Sequence, residues 1–221
     1  MLTRPLPWAL AIGGLAFAIA SAVTVYAEFM PLTKVGVTMR GKVDALVGQA
    51  IATGPSYRSK LLVLNSCNEA LSSLEAAALP SEQLQSLYAH CGQIAQAIAA
   101  AEPSFSLAYY VEALIAEGQG DLDALNRHLA QSQRTAPGQG WLALSRAIVA
   151  ARHLDRLDNV AAAALDYDIA TLIRSGRGAD WLAHSYVGGG PLAERITTII
   201  ERLPDDQQRR FLRTVRRLST T

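Results

Sequence analysis

The chain has 221 residues, half of them hydrophobic and 18% charged, and its 20 Lys and Arg nearly cancel its 19 Asp and Glu. That hydrophobicity excludes an intrinsically disordered chain, and a formal net charge of +1 gives no basic surplus for nucleic-acid phosphates, so nucleic acid is not an expected partner. Two cysteines are too few for a disulfide-built scaffold or a four-cysteine zinc site.

The first element is apolar. Residues 8–27 carry no charge, and Arg4 precedes them. About 20 such residues in a helix span roughly 30 Å, the hydrocarbon thickness of a bilayer. Trp8 and Tyr26 stand near the two ends, where amphipathic aromatics favour the membrane interface. Residues 1–28 are therefore predicted to be a single-pass membrane anchor. A cleaved signal peptide stays open, because Ala20-Ser21-Ala22 and Val25-Tyr26-Ala27 are small-residue cleavage sites. The apolar run exceeds the usual signal core of ~7–15 residues, which favours the anchor. The charge rule does not place the following domain outside the cytoplasm, since Lys34, Arg40 and Lys42 outweigh Arg4.

Residues 29–55 are rich in Thr, Gly and Val, with Pro31 and Pro55. They are read as a stalk or linker with limited order, in which 43–52 could form a short helix. From residue 56 onward the pattern is helical and Ala-rich. It breaks at Leu79-Pro80, Glu102-Pro103, Gly118-Gln119-Gly120, Pro137-Gly138, near Asp155, and at Gly176–Gly178, Gly188–Gly190 and Leu203-Pro204. These breaks delimit eight or nine helices, so residues 56–221 are predicted to be an all-α domain.

The first two of those helices, read at 61–77 and 82–101, flank a turn centred near Leu79. Cys67 lies 12 residues before that centre and Cys91 lies 12 after it. In an antiparallel pair, residues equidistant from the turn are level, so a Cys67–Cys91 disulfide is sterically reasonable. Two unrelated buried thiols are the alternative. A disulfide favours an oxidising compartment. With the apolar N-terminus, it points to the periplasmic side of a Gram-negative inner membrane.

Pro103 and Pro137 are separated by 34 residues and end similar phrases, Ala101-Glu102-Pro103 and Thr135-Ala136-Pro137. Thirty-four residues is the period of the tetratricopeptide repeat. In that register Gly120-Asp121 forms the inter-helix turn, Tyr109 the expected aromatic, Ala113 the small residue and Leu129 a large apolar one. Trp141, Leu142 and Ser145 open a second unit. Residues 103–153 thus resemble a degenerate tetratricopeptide-like array. Leu125 and Ser132 stand where that family prefers alanine, and the second unit lacks a closing proline. The order of Thr135-Ala136-Pro137, Trp141-Leu142, Asp168-Ile169, Leu172-Ile173-Arg174-Ser175 and Tyr186-Val187 also resembles anchored helical-repeat proteins of alphaproteobacteria, encoded near exopolysaccharide and cell-surface polysaccharide genes. That resemblance implies protein partners in a cell-envelope complex.

No chemical signature stands out. Phosphate loops, H-E-x-x-H zinc motifs and G-x-S-x-G elbows are absent from the sequence. Gly188-Gly189-Gly190-Pro191 suits a chain reversal. His90, His128, His153 and His184 include no pair at i, i+3 or i+4, and Asp166 and Asp168 point in different directions on a helix. No catalytic, metal or cofactor residue is assigned. Tyr110, one step round from the core aromatic Tyr109, is the expected exposed contact for a peptide or a sugar ring. Arg209, Arg210, Arg213, Arg216 and Arg217 line a final helix whose apolar stripe is Phe211, Leu212, Val215 and Leu218. They form either a solvated face or a contact to anionic lipid or polysaccharide. The expectation is a non-enzymatic, membrane-anchored adaptor. A cytoplasm-facing tethered scaffold and an enzyme whose site converges only in three dimensions are the alternatives.

Overall fold

The structure is a computed structural model that describes residues 6–176 and 178–219. Arg4 of the N-terminal flank lies outside the described residues. Among those described, the chain forms twelve α-helices, one short 3-10 turn and no strand. It divides into two compact units, Met1–Ile94 and Ala95–Thr221, with the boundary inside a helix.

The first unit begins with α1 (Leu6–Lys34), a 29-residue helix. Residues 10–26 are exposed throughout, including Leu15, Phe17 and Ile19. The helix is long and apolar enough to cross a membrane, a test that a signal sequence also passes. Its last third behaves differently. Pro31 and Val35 are buried, and the Glu28 carboxylate accepts hydrogen bonds from the Ser56 backbone N–H at 2.6 Å and the Ser56 hydroxyl at 2.5 Å. Ser56 is the N-cap of α3 (Tyr57–Leu71), so a carboxylate faces the positive end of that helix. Gly54 permits the approach, since a Cβ there would stand 2.8 Å from the same carboxylate.

Residues 29–55 are not a stalk. They hold the end of α1 and then α2 (Met39–Gly48), N-capped by the Thr38 hydroxyl, and they bury Val35, Val43, Leu46 and Ile51. The short helix expected at 43–52 is present but begins earlier, at Met39, and its buried pair at i and i+3 docks it into the unit. A short helix, α4 (Leu74–Ala77), and a long one, α5 (Ser81–Ala101), follow. Cys67 on α3 and Cys91 on α5 are joined in a disulfide with a Cα–Cα distance of 5.7 Å. His90 on α5 sets Nδ1 2.9 Å from the Leu46 carbonyl oxygen of α2.

The second unit opens with α6 (Ser106–Gln119) and α7 (Leu122–Thr135), packed on each other across Gly120-Asp121. Gly120 ends α6 at φ 73°, a left-handed conformation that glycine adopts without strain. Asp121 then caps α7 by accepting from the Ala124 N–H at 2.9 Å. A second pair follows, α8 (Gly140–Ala151) and α9 (Asn159–Ser175), with α9 also packed against α7. Ser106 and Gly140, the first residues of α6 and α8, are 34 apart. The second connection is longer because it contains the 3-10 turn Leu154–Arg156. Three further helices complete the unit: α10 (Ala179–Val187), α11 (Pro191–Ile200) and α12 (Asp205–Ser219). Phe211 of α12 is buried edge-on against Tyr186 of α10, with ring centroids 5.8 Å apart.

The disulfide generates the first prediction. It closes a loop spanning 24 positions, which the loop-entropy treatment equates with roughly 3–4 kcal/mol. Reduction, or Cys67→Ser, should lower the melting temperature by roughly 5–10 °C while far-ultraviolet circular dichroism at 20 °C (a chosen measuring temperature, about ambient) keeps its helical amplitude. An unchanged transition would mean that the bond constrains nothing the fold does not already hold.

Candidate functional site

The most elaborate polar arrangement lies inside the second unit. α8 carries one charged residue, Arg146, in an otherwise apolar sequence. Its side chain is 2% exposed, and that of Asp168 on α9 is 1% exposed. Arg146 Nε donates to Asp168 Oδ2 at 2.7 Å and Nη2 donates to Oδ1 at 2.6 Å, a bidentate pair. Arg146 Nη1 reaches the Ser132 carbonyl oxygen of α7 at 3.3 Å, and Nη2 reaches the Ala136 carbonyl oxygen at 3.5 Å. The Ser106 hydroxyl of α6 donates to that same Ser132 carbonyl at 2.6 Å. One network therefore touches all four helices of the two pairs. Burial pushes the Asp168 carboxyl above the ordinary carboxylate range, and the bonds from Arg146 pull against that shift.

Arg146 and Asp168 are almost wholly buried, so the network ties the four helices together from within. Sequence reasoning noted Ser132 as an odd residue at a close-packing position, but it did not single out Arg146. The available signal was the lone charge in α8. Asp166, two residues from Asp168, points elsewhere and accepts from Arg195 Nε of α11 at 2.5 Å.

Tyr110 corrects an expectation. It is buried, not exposed, and its hydroxyl donates to the Ser145 carbonyl oxygen of α8 at 3.4 Å. It shares a face with Leu107, Val111 and Leu114, all buried. Tyr109 is the partly exposed one, and its hydroxyl donates to the Pro103 carbonyl oxygen at 3.1 Å. A one-residue step turns a helix by about 100°, so the repeat register placed the aromatics on the wrong faces. Beside Tyr110, Glu117 at the end of α6 takes a bidentate pair from Arg152, at 2.9 and 2.8 Å, and stands 2.9 Å from His153 Nε2.

Tyr109 instead borders a groove of about 380 Å³ along α7 and the start of α9, with Asn126, Arg127 and Arg134 on α7 and Val160 on α9. None of these four was anticipated from the sequence. The five arginines of α12 are exposed. Arg209 lies 3.9 Å from Asp205, Arg210 donates to the Arg174 carbonyl oxygen at 3.4 Å, and Arg217 donates to Asp180 at 2.5 Å. Phe211 anchors the helix, whereas Leu212 of the expected apolar stripe is exposed. Among the described residues, no group of three or more His, Cys, Asp or Glu side chains is placed to hold a metal. His128 pairs with Glu112 at 3.3 Å, and His184 is exposed on α10.

No family model matches the chain, and no curated protein or solved structure matches it.

The buried Tyr110 generates a pH prediction. Burial pushes its phenol up to about 12 from an ordinary value of 10.0. The folded state therefore holds the proton more tightly than the unfolded chain. The stability tied to that proton is fully present below pH ~10 and is lost as pH rises towards ~12, by roughly 2–3 kcal/mol for a two-unit difference. Tyr110→Phe should flatten the decline in melting temperature above pH ~10 relative to the unaltered protein. Parallel curves for the two proteins would show that this phenol does not titrate late.

Proposed function

We propose that this chain is a non-enzymatic, membrane-anchored helical adaptor that holds components of a bacterial cell-envelope assembly. The observation that carries the reading is α1. Its first two thirds expose large apolar side chains on all sides, and its last third is bonded into a disulfide-linked helical unit. Such a surface is costly in water and suited to hydrocarbon. The helix also runs unbroken through Ala22 and Ala27, the two candidate cleavage positions, and the Ala27 carbonyl oxygen packs close to Gly54. An uncleaved anchor accounts for both features.

The disulfide lies in the unit that α1 enters, which favours an oxidising compartment and thus the periplasmic face. The 34-residue offset of α6 and α8, with the packing of α7 on α9, supports a degenerate tetratricopeptide-like array. Stacked helix pairs offer surface for protein partners. The exposed arginines of α12 suit an additional contact to anionic lipid or polysaccharide. The resemblance to anchored proteins encoded near polysaccharide genes makes a polysaccharide-synthesis or export machine the proposed setting. A cytoplasm-facing scaffold is the second reading, favoured by Lys34, Arg40 and Lys42 after the span.

Membranes from expressing cells test this directly. The protein should resist carbonate extraction, retain its N-terminal peptide and show no free thiol on alkylation before reduction. In-cell crosslinking should recover envelope proteins. A mature N-terminus at Glu28 would remove the anchor. Free labelling of Cys67 and Cys91 in unreduced cells, with only cytoplasmic complexes recovered, would replace the periplasmic reading with the second one.

A further inference from the structure

The groove along α7 has a composition that selects a ligand. Its floor includes Ala130 and the Tyr109 ring, which the bond from its hydroxyl to the Pro103 carbonyl oxygen holds in place. Val160, 58% exposed, forms one wall. Arg127 and Arg134 are both exposed and lie seven residues apart on the same helix, a separation of ~10 Å along its axis. Asp158 is the carboxylate at the rim. Its Oδ1 accepts from the backbone N–H groups of Val160 and Ala161, at 2.9 and 2.7 Å, to cap α9. The surface therefore joins a small apolar patch to two exposed guanidinium groups, one of them bonded to Gln131, with His128 and the Asp158 carboxylate also in its lining.

The buried polar residue of this lining is Asn126. The residue is 5% exposed and lines the groove. Its Nδ2 donates to the Arg156 carbonyl oxygen at 3.0 Å, while its Oδ1 has no hydrogen-bond partner.

We propose that this groove binds an acidic peptide segment of a protein partner, with one apolar side chain against Tyr109, Ala130 and Val160. Carboxylates on either side of it pair with Arg127 and Arg134. Guanidinium groups take carboxylates in two-point contacts. In a polyproline II segment, residues three apart share a face ~9 Å apart, which matches the arginine spacing. The sequence preference is thus acidic-x-x-acidic with an apolar residue between. The proposal rests on the adaptor reading and specifies one of its docking surfaces.

The test is selection of a twelve-residue (about the span that covers the groove with flanks) random peptide library against the full chain in phosphatidylcholine nanodiscs. Selected peptides should carry the acidic pair around an apolar residue. Their affinity should fall at least tenfold (about 1.4 kcal/mol) for the double variant Arg127→Glu, Arg134→Glu, with unchanged circular dichroism. Selection without an acidic pattern, or equal binding by the double variant, would overturn the proposal. So would oligogalacturonate fragments binding at Arg127 and Arg134 where no peptide does. If peptides fail while crosslinking in membranes still recovers envelope partners, the groove assignment falls and the adaptor reading stands.

Discussion

A guanidinium taken out of water costs several kcal/mol unless its charge and its donors are matched. In this protein Arg146 is matched on every side. Asp168 answers the charge with two short bonds, and the carbonyl oxygens of Ser132 and Ala136 take the outward donors. Each partner comes from a different place: Asp168 from α9, Ser132 from α7, Ala136 from the residue that ends α7. Ser106 of α6 joins through Ser132. The two helix pairs are therefore tied by a polar contact with one geometry. Small side chains such as Ala143 and Ala147 line the same helices and would tolerate sliding. A buried ion pair is weak evidence for net stability but a good device for fixing register. The groove along α7 inherits that fixity, because α7 is gripped by the network on its inner side while Arg127 and Arg134 face out.

The first unit solves a different problem. In the proposed anchored reading, α1 must hand over from hydrocarbon to a folded domain. Here the handover is a joint. Glu28 meets the capped start of α3, Gly54 leaves room for it, and Pro31 and Val35 are buried just beyond. The disulfide then fastens α3 to α5. α1 is continuous with the fold it enters and does not hang from it by a loose linker.

Much of this was legible in the sequence, for identifiable reasons. The apolar run and the Ala-rich periods each extend over many residues, so they read clearly. Cys67 and Cys91 do pair, although the helix expected over 61–77 ends at Leu71 and the short helix α4 fills the connection to α5. Gly120-Asp121 announced itself through paired capping chemistry. Three features were not legible. The start of α2 was missed, since the short helix expected at 43–52 begins at Met39 and ends at Gly48. The faces of Tyr109 and Tyr110 hinged on one residue of phase, which a family register cannot supply when its other positions have drifted. The Arg146–Asp168 pair and the Asn126 groove join residues from separate helices, and the sequence gives no reason to link them before the helices are packed. A lone arginine in α8 was the only clue, and its partner could have been any acid in the chain.

Hydrogen exchange under native conditions tests the central claim, that one buried network makes α6 to α9 a single cooperative body. In the unaltered protein the slowest amides of α7 and those of α9, such as Leu125, Leu129, Ile169 and Leu172, should share one opening free energy. Arg146→Ala, which leaves Asp168 buried and unpaired, should lower all of them together by roughly 3–5 kcal/mol. Loss of protection in α8 and α9 alone, with α6 and α7 unchanged, would show that the two pairs are independent and that the network is not what unites them.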